Sequence, residues 1–215
     1  MGRPPRTSRA EIMAAARRLI DRDGWERLTM RRLAAEAGTA PTTLYHHVRD
    51  KDDLLTQLLD DYAERMPRPA MPADPRERVI AAATIIRETL AAWPWAVEML
   101  THDNQVGRSA LWMVEMVLAS AVECGCSPEQ AVDLYRSIWY YTAGEILIRA
   151  NRGRRQAENT DANPRDDRIR AVDVAELPQL AALADRWADL TSRDTYALGL
   201  RSLVDGFLQT LPTPG

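Results

Sequence analysis

Residues Thr29 to Leu55 read TMRRLAAEAGTAPTTLYHHVRDKDDLL. This stretch spells a helix, a three-residue turn, a second helix and the start of a third. Thr29 is a good N-cap, and Met30, Leu33, Ala34 and Ala37 give the first helix an apolar side. Gly38 stops that helix, because glycine alone takes the left-handed conformation at C′ without strain. Pro41 suits the first turn of the next helix. That helix is short and carries Thr42, Thr43, Tyr45, His46 and His47, nearly all hydrogen-bonding groups. A helix-turn-helix lays such a helix in the major groove of DNA.

Charge supports the same reading. The chain has 215 residues and a net charge of −3. Residues 1–51 hold ten Arg and one Lys against three Asp and three Glu, a local charge of +5, which leaves −8 for the remainder. A basic head on an acidic body implies a DNA-facing end and a body with another task. Double-stranded DNA is therefore the first partner expected.

The rest of the chain reads as helices. There is a single Phe, and no alternating strand pattern stands out. Ser8 and Glu11 make a capping box, with Ile12, Ala15, Ala16 and Leu19 as its apolar stripe. Asp50 and Asp53 open a fourth helix carrying Leu54, Leu55, Leu58, Leu59 and Tyr62. Four prolines between Pro67 and Pro75 exclude a helix interior and mark a boundary. Asp74, Pro75 and Glu77 restart helix, and Pro94 breaks it. Further helices are expected over about 95–101, 106–123, 128–150, 177–190 and 192–211. Residues 151–173, rich in Arg, Asp, Asn and Gly, lose the apolar period and read as a solvated loop. The expected fold class is all-α: an N-terminal three-helix helix-turn-helix head and a C-terminal helical domain. The expected division is a DNA-binding domain over 1–51, a connecting helix and Pro-rich linker over 52–73, and a body over 74–215.

Several function classes are disfavoured. No apolar run reaches the roughly 18 residues that span a membrane, and no secretion signal opens the chain. A cytoplasmic protein without membrane contact is expected. Cys124 and Cys126 make no disulfide framework and have no zinc-spaced partners, so they read as reduced thiols. No nucleophile with a supporting base, no phosphate loop and no framed carboxylate pair argues for an enzyme. No cofactor and no resident metal are expected.

The segments LTMRRLAAEAG (28–38) and TLYHHVRDKDDLL (43–55) resemble the tetracycline-repressor (TetR) family of transcriptional regulators, with Leu44, Tyr45, His47, Lys51, Leu54 and Leu55 at the family's spacing. More weakly, MLTHDNQ (99–105), the Ser127-Pro128-Glu129 helix start, YYTAGEILI (140–148) and ELPQLAAL (176–183) resemble a tetracycline-repressor-like C-terminal domain. The resemblance implies a homodimer with a small-molecule effector pocket in each body. Effector binding would swing the two heads apart and release the operator.

By that resemblance, Ala40, Pro41, Thr42 and Thr43 stand at the base edges, joined by His46. Thr29 and Arg31 mark the start of the preceding helix, and Arg31 reaches guanine or phosphate. Tyr45, His47 and Lys51 hold phosphates, and Arg6 belongs to a basic arm with Arg3 and Arg9. In the body, Trp95, Met99, Trp112, Met116, Trp139 and Tyr140 are expected to wall an apolar pocket, within a wider set including Trp93, Met113 and Tyr141. His102, Asn104, Gln105, Arg136 and Glu145 are its polar candidates. His102 falls where the tetracycline repressor carries a histidine that binds drug-chelated magnesium. Its neighbours do not reproduce that arrangement, so it is assigned hydrogen bonding and no metal. Arg136 and Glu145 have a competing reading as a buried pair or an intersubunit contact. Trp187 is placed as a lid over the partner's pocket.

Two helices per subunit, 128–150 and the last, would form a four-helix dimer interface. A two-fold dimer implies a palindromic operator. The function expected is a repressor released by a small, largely apolar or aromatic effector. The alternatives are a regulator switched by a protein partner or by redox at Cys124 and Cys126, or an activator.

Overall fold

A computed structural model describes residues 7–103, 108–157 and 164–211, with side chains excepted at 102, 103, 155–157 and 164–166. Among the described residues there are helices and no strands. The head comprises α1 (Arg9–Asp23), α2 (Met30–Glu36), α3 (Pro41–Leu44) and α4 (Lys51–Glu64). The body comprises α5 (Pro75–Ala91), α6 (Pro94–Asp103), a 3₁₀ turn (Arg108–Ala110), α7 (Leu111–Glu123) and α8 (Pro128–Ala157). It continues through α9 (Pro164–Arg170), α10 (Pro178–Ala181), a 3₁₀ turn (Ala184–Arg186), α11 (Trp187–Ser192) and α12 (Tyr196–Gln209).

The helix ends follow the local chemistry of the sequence. Ser8 and Glu11 bond reciprocally at the start of α1, with the Ser8 amide donating to Glu11 Oε2 at 2.7 Å. Thr29 Oγ1 accepts from the Arg32 amide, Asp50 from Asp53 and Asp74 from Glu77. Each such cap is worth about 1 kcal/mol. Gly38 ends the α2 turn at φ +63°, as the helix-turn-helix requires.

Two apolar cores hold the chain. One joins Ile12, Leu19, Leu33, Leu44, Val48, Leu54 and Leu58 of the head to Trp95, Val97 and Met99 of α6, and to Ala143 and Ile146 of α8. The other packs α5, α7, α8 and α12 around Val79, Met113, Leu134, Leu200 and Val204. The head is therefore not separated from the body by packing, although the proline strap separates them in sequence. The reason lies in α4, whose Leu54, Leu55 and Leu58 close the head while Leu59 and Tyr62 continue the same core onward to α6. Burying each such Leu contributes roughly 2 kcal/mol. The strap itself is pinned: Arg78 donates to the carbonyls of Pro72 and Ala73 at 3.3 and 3.2 Å, and to buried Ser120 Oγ at 2.8 Å.

Three expectations change. First, residues 151–173 are not one loop. Helix α8 runs on to Ala157 and α9 occupies Pro164–Arg170, while 158–163 lie outside the described residues. The extension carries no apolar stripe, so periodicity missed it. Charge and hydrogen bonds hold it instead: Arg152 donates to the Thr191 carbonyl at 2.7 Å and Arg154 to Asn151 at 2.6 Å. Second, 177–190 is broken into α10, a 3₁₀ turn and the start of α11, with i→i+3 bonds tightening the chain at Leu183 and Arg186. Third, α3 as a regular helix stops at Leu44. Tyr45, His46 and His47 follow in a turn closed by His46 N to Thr43 O at 3.2 Å and His47 N to Leu44 O at 2.8 Å.

Candidate DNA-contacting face and ligand cavity

Leu44 and Val48 are buried and anchor the 40–48 segment. Their anchoring leaves Ala40, Pro41, Thr42, Tyr45 and His46 exposed, with Thr43 and His47 half-buried beside them. Seven of the sequence candidates thus share one continuous stretch of the head. The Thr29 side chain caps α2, so its hydroxyl has a local partner already. Arg31 and Arg32 look alike in sequence and differ in the fold. Arg32 is tied to Asp23 and to the Arg27 carbonyl, whereas Arg31 is exposed. Lys51, expected on a phosphate, folds back. Its Nζ donates to the Glu26 carbonyl at 3.1 Å and lies 5.2 Å from the centre of the Trp25 ring. One of its three N–H donors is therefore used in fixing the start of α4 against the α1–α2 connection. Arg6 lies outside the described residues.

Behind the head lies a cavity of about 700 Å³, within the range of small-molecule sites. Helix α4 supplies Leu59, Tyr62, Ala63 and Met66 to its wall. Helix α5 adds Ile86, Thr89 and Leu90, and α6 adds Ala96, Leu100 and Thr101. Met113 and Val114 of α7 face Tyr135, Arg136, Trp139 and Tyr140 of α8. Trp93, at the α5–α6 corner, stacks on Tyr62 with ring centres 3.9 Å apart and planes at 28°. Burial raises the phenol pKa of Tyr62 and of Tyr135, so both stay neutral at ordinary pH. Arg136 Nη2 donates to Tyr140 Oη at 2.6 Å.

The sequence-selected pocket residues divide. Arg136, Trp139 and Tyr140 line the cavity. Trp95 and Met99 are buried in the core behind it, Trp95 edge-on to Tyr62 at 5.9 Å. The Trp112 ring lies under the Arg68 guanidinium at 4.8 Å, and Met116 packs on the second core. The indole Nε1 atoms of Trp95 and Trp112 are buried without a hydrogen-bond partner. Glu145 is turned away from the cavity, because α5 offers it Arg87. The two form a fork, Nε–Oε2 at 3.3 Å and Nη2–Oε1 at 3.1 Å, which Arg149 and Asp194 extend. Glu145 faces instead a second groove, of about 650 Å³, between α8 and α11. Trp187 does not line this cavity. The His102 side chain, Asn104 and Gln105 lie outside the described residues.

Sequence reasoning missed the α4 wall, Tyr62 and Met66 above all, and Tyr135 on α8. The signal for Tyr62 was present: it ends an apolar stripe longer than a three-helix head needs. The Cys124 and Cys126 thiols are both held above their ordinary pKa by burial, which suppresses thiolate chemistry.

Head and body are also linked by polar contacts. Glu98, on α6, accepts from Trp25 Nε1 at 3.1 Å and from Arg154 Nη2 of α8 at 3.3 Å. Asp60 of α4 accepts from the Ser109 amide at 2.9 Å, tying α4 to the turn that leads into α7.

Comparison with known proteins agrees with this architecture. Residues 12–58 match the family described as bacterial regulatory proteins, tetR family, and residues 68–211 match the tetracyclin repressor-like C-terminal domain. The chain is 31% identical over 179 residues to an HTH-type transcriptional regulator of Saccharopolyspora erythraea, covering 82% of this chain and 75% of that one. It is 29% identical over 218 residues to the HTH-type transcriptional repressor DrrR1 of Streptomyces coeruleorubidus, covering 95% and 78%. The fold is shared with Streptomyces coelicolor ActR in complex with actinorhodin, at TM-score 0.79 and 23% identity over 98% of this chain and 99% of that one.

Proposed function

The chain belongs to the tetR family of bacterial regulatory proteins, which are DNA-binding transcription regulators, and from that premise we propose that it is a homodimeric repressor. It holds a palindromic operator through the 40–47 stretch of each head and leaves it when a small, largely apolar or aromatic effector fills the cavity. It works in the cytoplasm, where the DNA is, and as a regulator rather than an enzyme.

One observation carries the reading. Helix α4 is shared, its Leu54, Leu55 and Leu58 lying in the head core and its Leu59, Tyr62, Ala63 and Met66 on the cavity wall. A ligand that displaces Tyr62 displaces the helix that positions Leu44 and Val48. A packed helix moves as a unit, because close-packed cores do not deform continuously. The ligand need only bind the DNA-incompetent arrangement better, since equal affinity would shift nothing. Repression is the activity named for DrrR1, and ActR is solved in complex with actinorhodin; both support a ligand-released repressor.

Dimerisation is supported by apolar side chains left exposed on α8 and α12. Val132, Ile148 and Leu198 are 43, 68 and 70% exposed in the single chain. The raised thiol pKa values weigh against a redox switch at Cys124 and Cys126.

Selection of bound sequences from a random DNA pool tests the reading. A palindromic consensus, weakened by Thr43→Ala, is expected. Binding without a consensus overturns it.

A further inference from the structure

The cavity wall is uneven in charge, and its one charged group, Arg136, is open to solvent. Among its described residues, Arg136 is the sole charged side chain, and no carboxylate lines the space. Arg76, Arg78, Arg87 and Arg201 of the body are paired with acids, whereas no acid lies within ion-pair distance of Arg136 among the described residues. Its guanidinium is nevertheless held, by the bond to Tyr140 Oη at 2.6 Å and by its position 5.5 Å from the centre of that ring. A guanidinium has five N–H donors in a planar fork, and Tyr140 takes one direction of it. The remaining donors suit a carboxylate or a phenolate oxygen. The same cavity is lined by the stacked Tyr62 and Trp93 and by Trp139 and Tyr135.

Resting on the ligand-released repressor reading above, we propose that the effector is a planar aromatic acid. Its fused or linked rings lie along Tyr62, Trp93 and Trp139. Its carboxylate, or an ionised phenol, is received by Arg136 beside Tyr140. A cationic or zwitterionic amine of equal size is disfavoured, because the described wall offers the ammonium no carboxylate.

Two dyes that differ chiefly by a negative charge test this: 8-anilino-1-naphthalenesulfonate and its uncharged parent N-phenyl-1-naphthylamine. Each is titrated into the full-length protein, with dye emission and tryptophan quenching as readouts. The anionic dye is expected to bind about tenfold more tightly, the lower end of what a hydrogen bond to a charged group supplies. Arg136→Gln brings the two dyes to within about twofold, Arg136→Lys keeps part of the preference, and Arg27→Gln, on the head, changes neither. Equal affinities in the unaltered protein, or a preference that survives Arg136→Gln, overturn the acid specificity and leave the cavity as a ligand site. Failure of both dyes to bind overturns the ligand site and the acid specificity together.

Discussion

The indole N–H of Trp25 and the carboxylate of Glu98 meet at 3.1 Å, joining the turn after α1 to α6, a wall of the ligand cavity. The other face of this contact is Lys51, whose ammonium lies over the same indole ring and whose Nζ bonds the neighbouring Glu26 carbonyl. A chain of contacts thus runs from the cavity wall to the first residue of α4, separate from the packing route through Tyr62. Trp25→Phe keeps the ring and removes the N–H. A hydrogen bond to a charged group at a half-exposed site contributes about 1 kcal/mol. Operator affinity is expected to fall by roughly fivefold, with helix content unchanged, as read by titration at fixed salt.

Adjacent residues of the recognition segment should separate stability from DNA contact. Leu44 is fully buried and Tyr45 is 56% exposed. Leu44→Ala removes core packing and costs about 2–5 kcal/mol, enough to lower the melting temperature and operator binding together. Tyr45→Ala should leave the melting temperature within about 2 °C, since surface changes stay near ±0.5 kcal/mol. Its operator affinity should nonetheless fall, and thermal melts beside binding titrations check both arms.

Two glycines predict two kinds of damage. At Gly38, with φ +63°, a methyl group meets nothing within 4 Å, so the penalty of Gly38→Ala is purely conformational, about 1 kcal/mol. At Gly199 the added Cβ would run into the Tyr141 hydroxyl, which bonds the Tyr196 carbonyl at 3.2 Å. Gly199→Ala should therefore cost about 1–3 kcal/mol by overpacking, and Gly199→Ala with Tyr141→Phe should recover part of it. Denaturant midpoints of the three variants decide.

Tyr196 predicts an alkaline limit. Its phenol is buried, bonds Thr142 Oγ1 at 2.8 Å and donates to the Ala83 carbonyl at 3.2 Å. Burial is the main cause that raises its pKa to about 12, the Thr142 hydrogen bond opposing. An unfolded tyrosine loses its proton near pH 10, so above that pH the folded chain binds more protons than the unfolded one. The contribution of the neutral phenol is complete below pH 10 and is lost as pH rises from about 10 to 12. About 2 kcal/mol of stability should disappear over that window. Tyr196→Phe should be less stable at pH 8 and show a flatter decline above pH 10, as unfolding titrations in denaturant would record.

What could be read from the sequence divides by mechanism. Caps and turns are local, so Ser8, Thr29, Asp50 and Asp74 carried their own instructions and started helices, and Gly38 stopped one, where the chemistry directed. The last helix, expected over 192–211, was equally plain. The continuation of α8 to Ala157 was not, because Arg152 and Arg154 are held by Thr191, Asn151 and Glu98, partners that no periodicity encodes. Aromatic content pointed to a pocket without saying which rings line it. Trp95 and Trp139 look equivalent in sequence, yet one is core and the other wall. Glu145 left the pocket for the same reason, since its partner Arg87 stands 58 residues earlier in the chain.

The shared core bears on how specificity could be re-engineered in this protein. The proline strap looks like a natural place to cut and exchange heads between relatives, but a junction there would part Tyr62 from Trp93 and Leu59 from α6. The transplanted head would arrive with a raw apolar face and a mismatched neighbour. The unit that packs together is discontinuous: α1 to α4 with α6 and the middle of α8. If the exposed positions between Ala40 and His46 read the operator, as proposed above, recoding them is the better route to a new operator preference than grafting a foreign head onto this body.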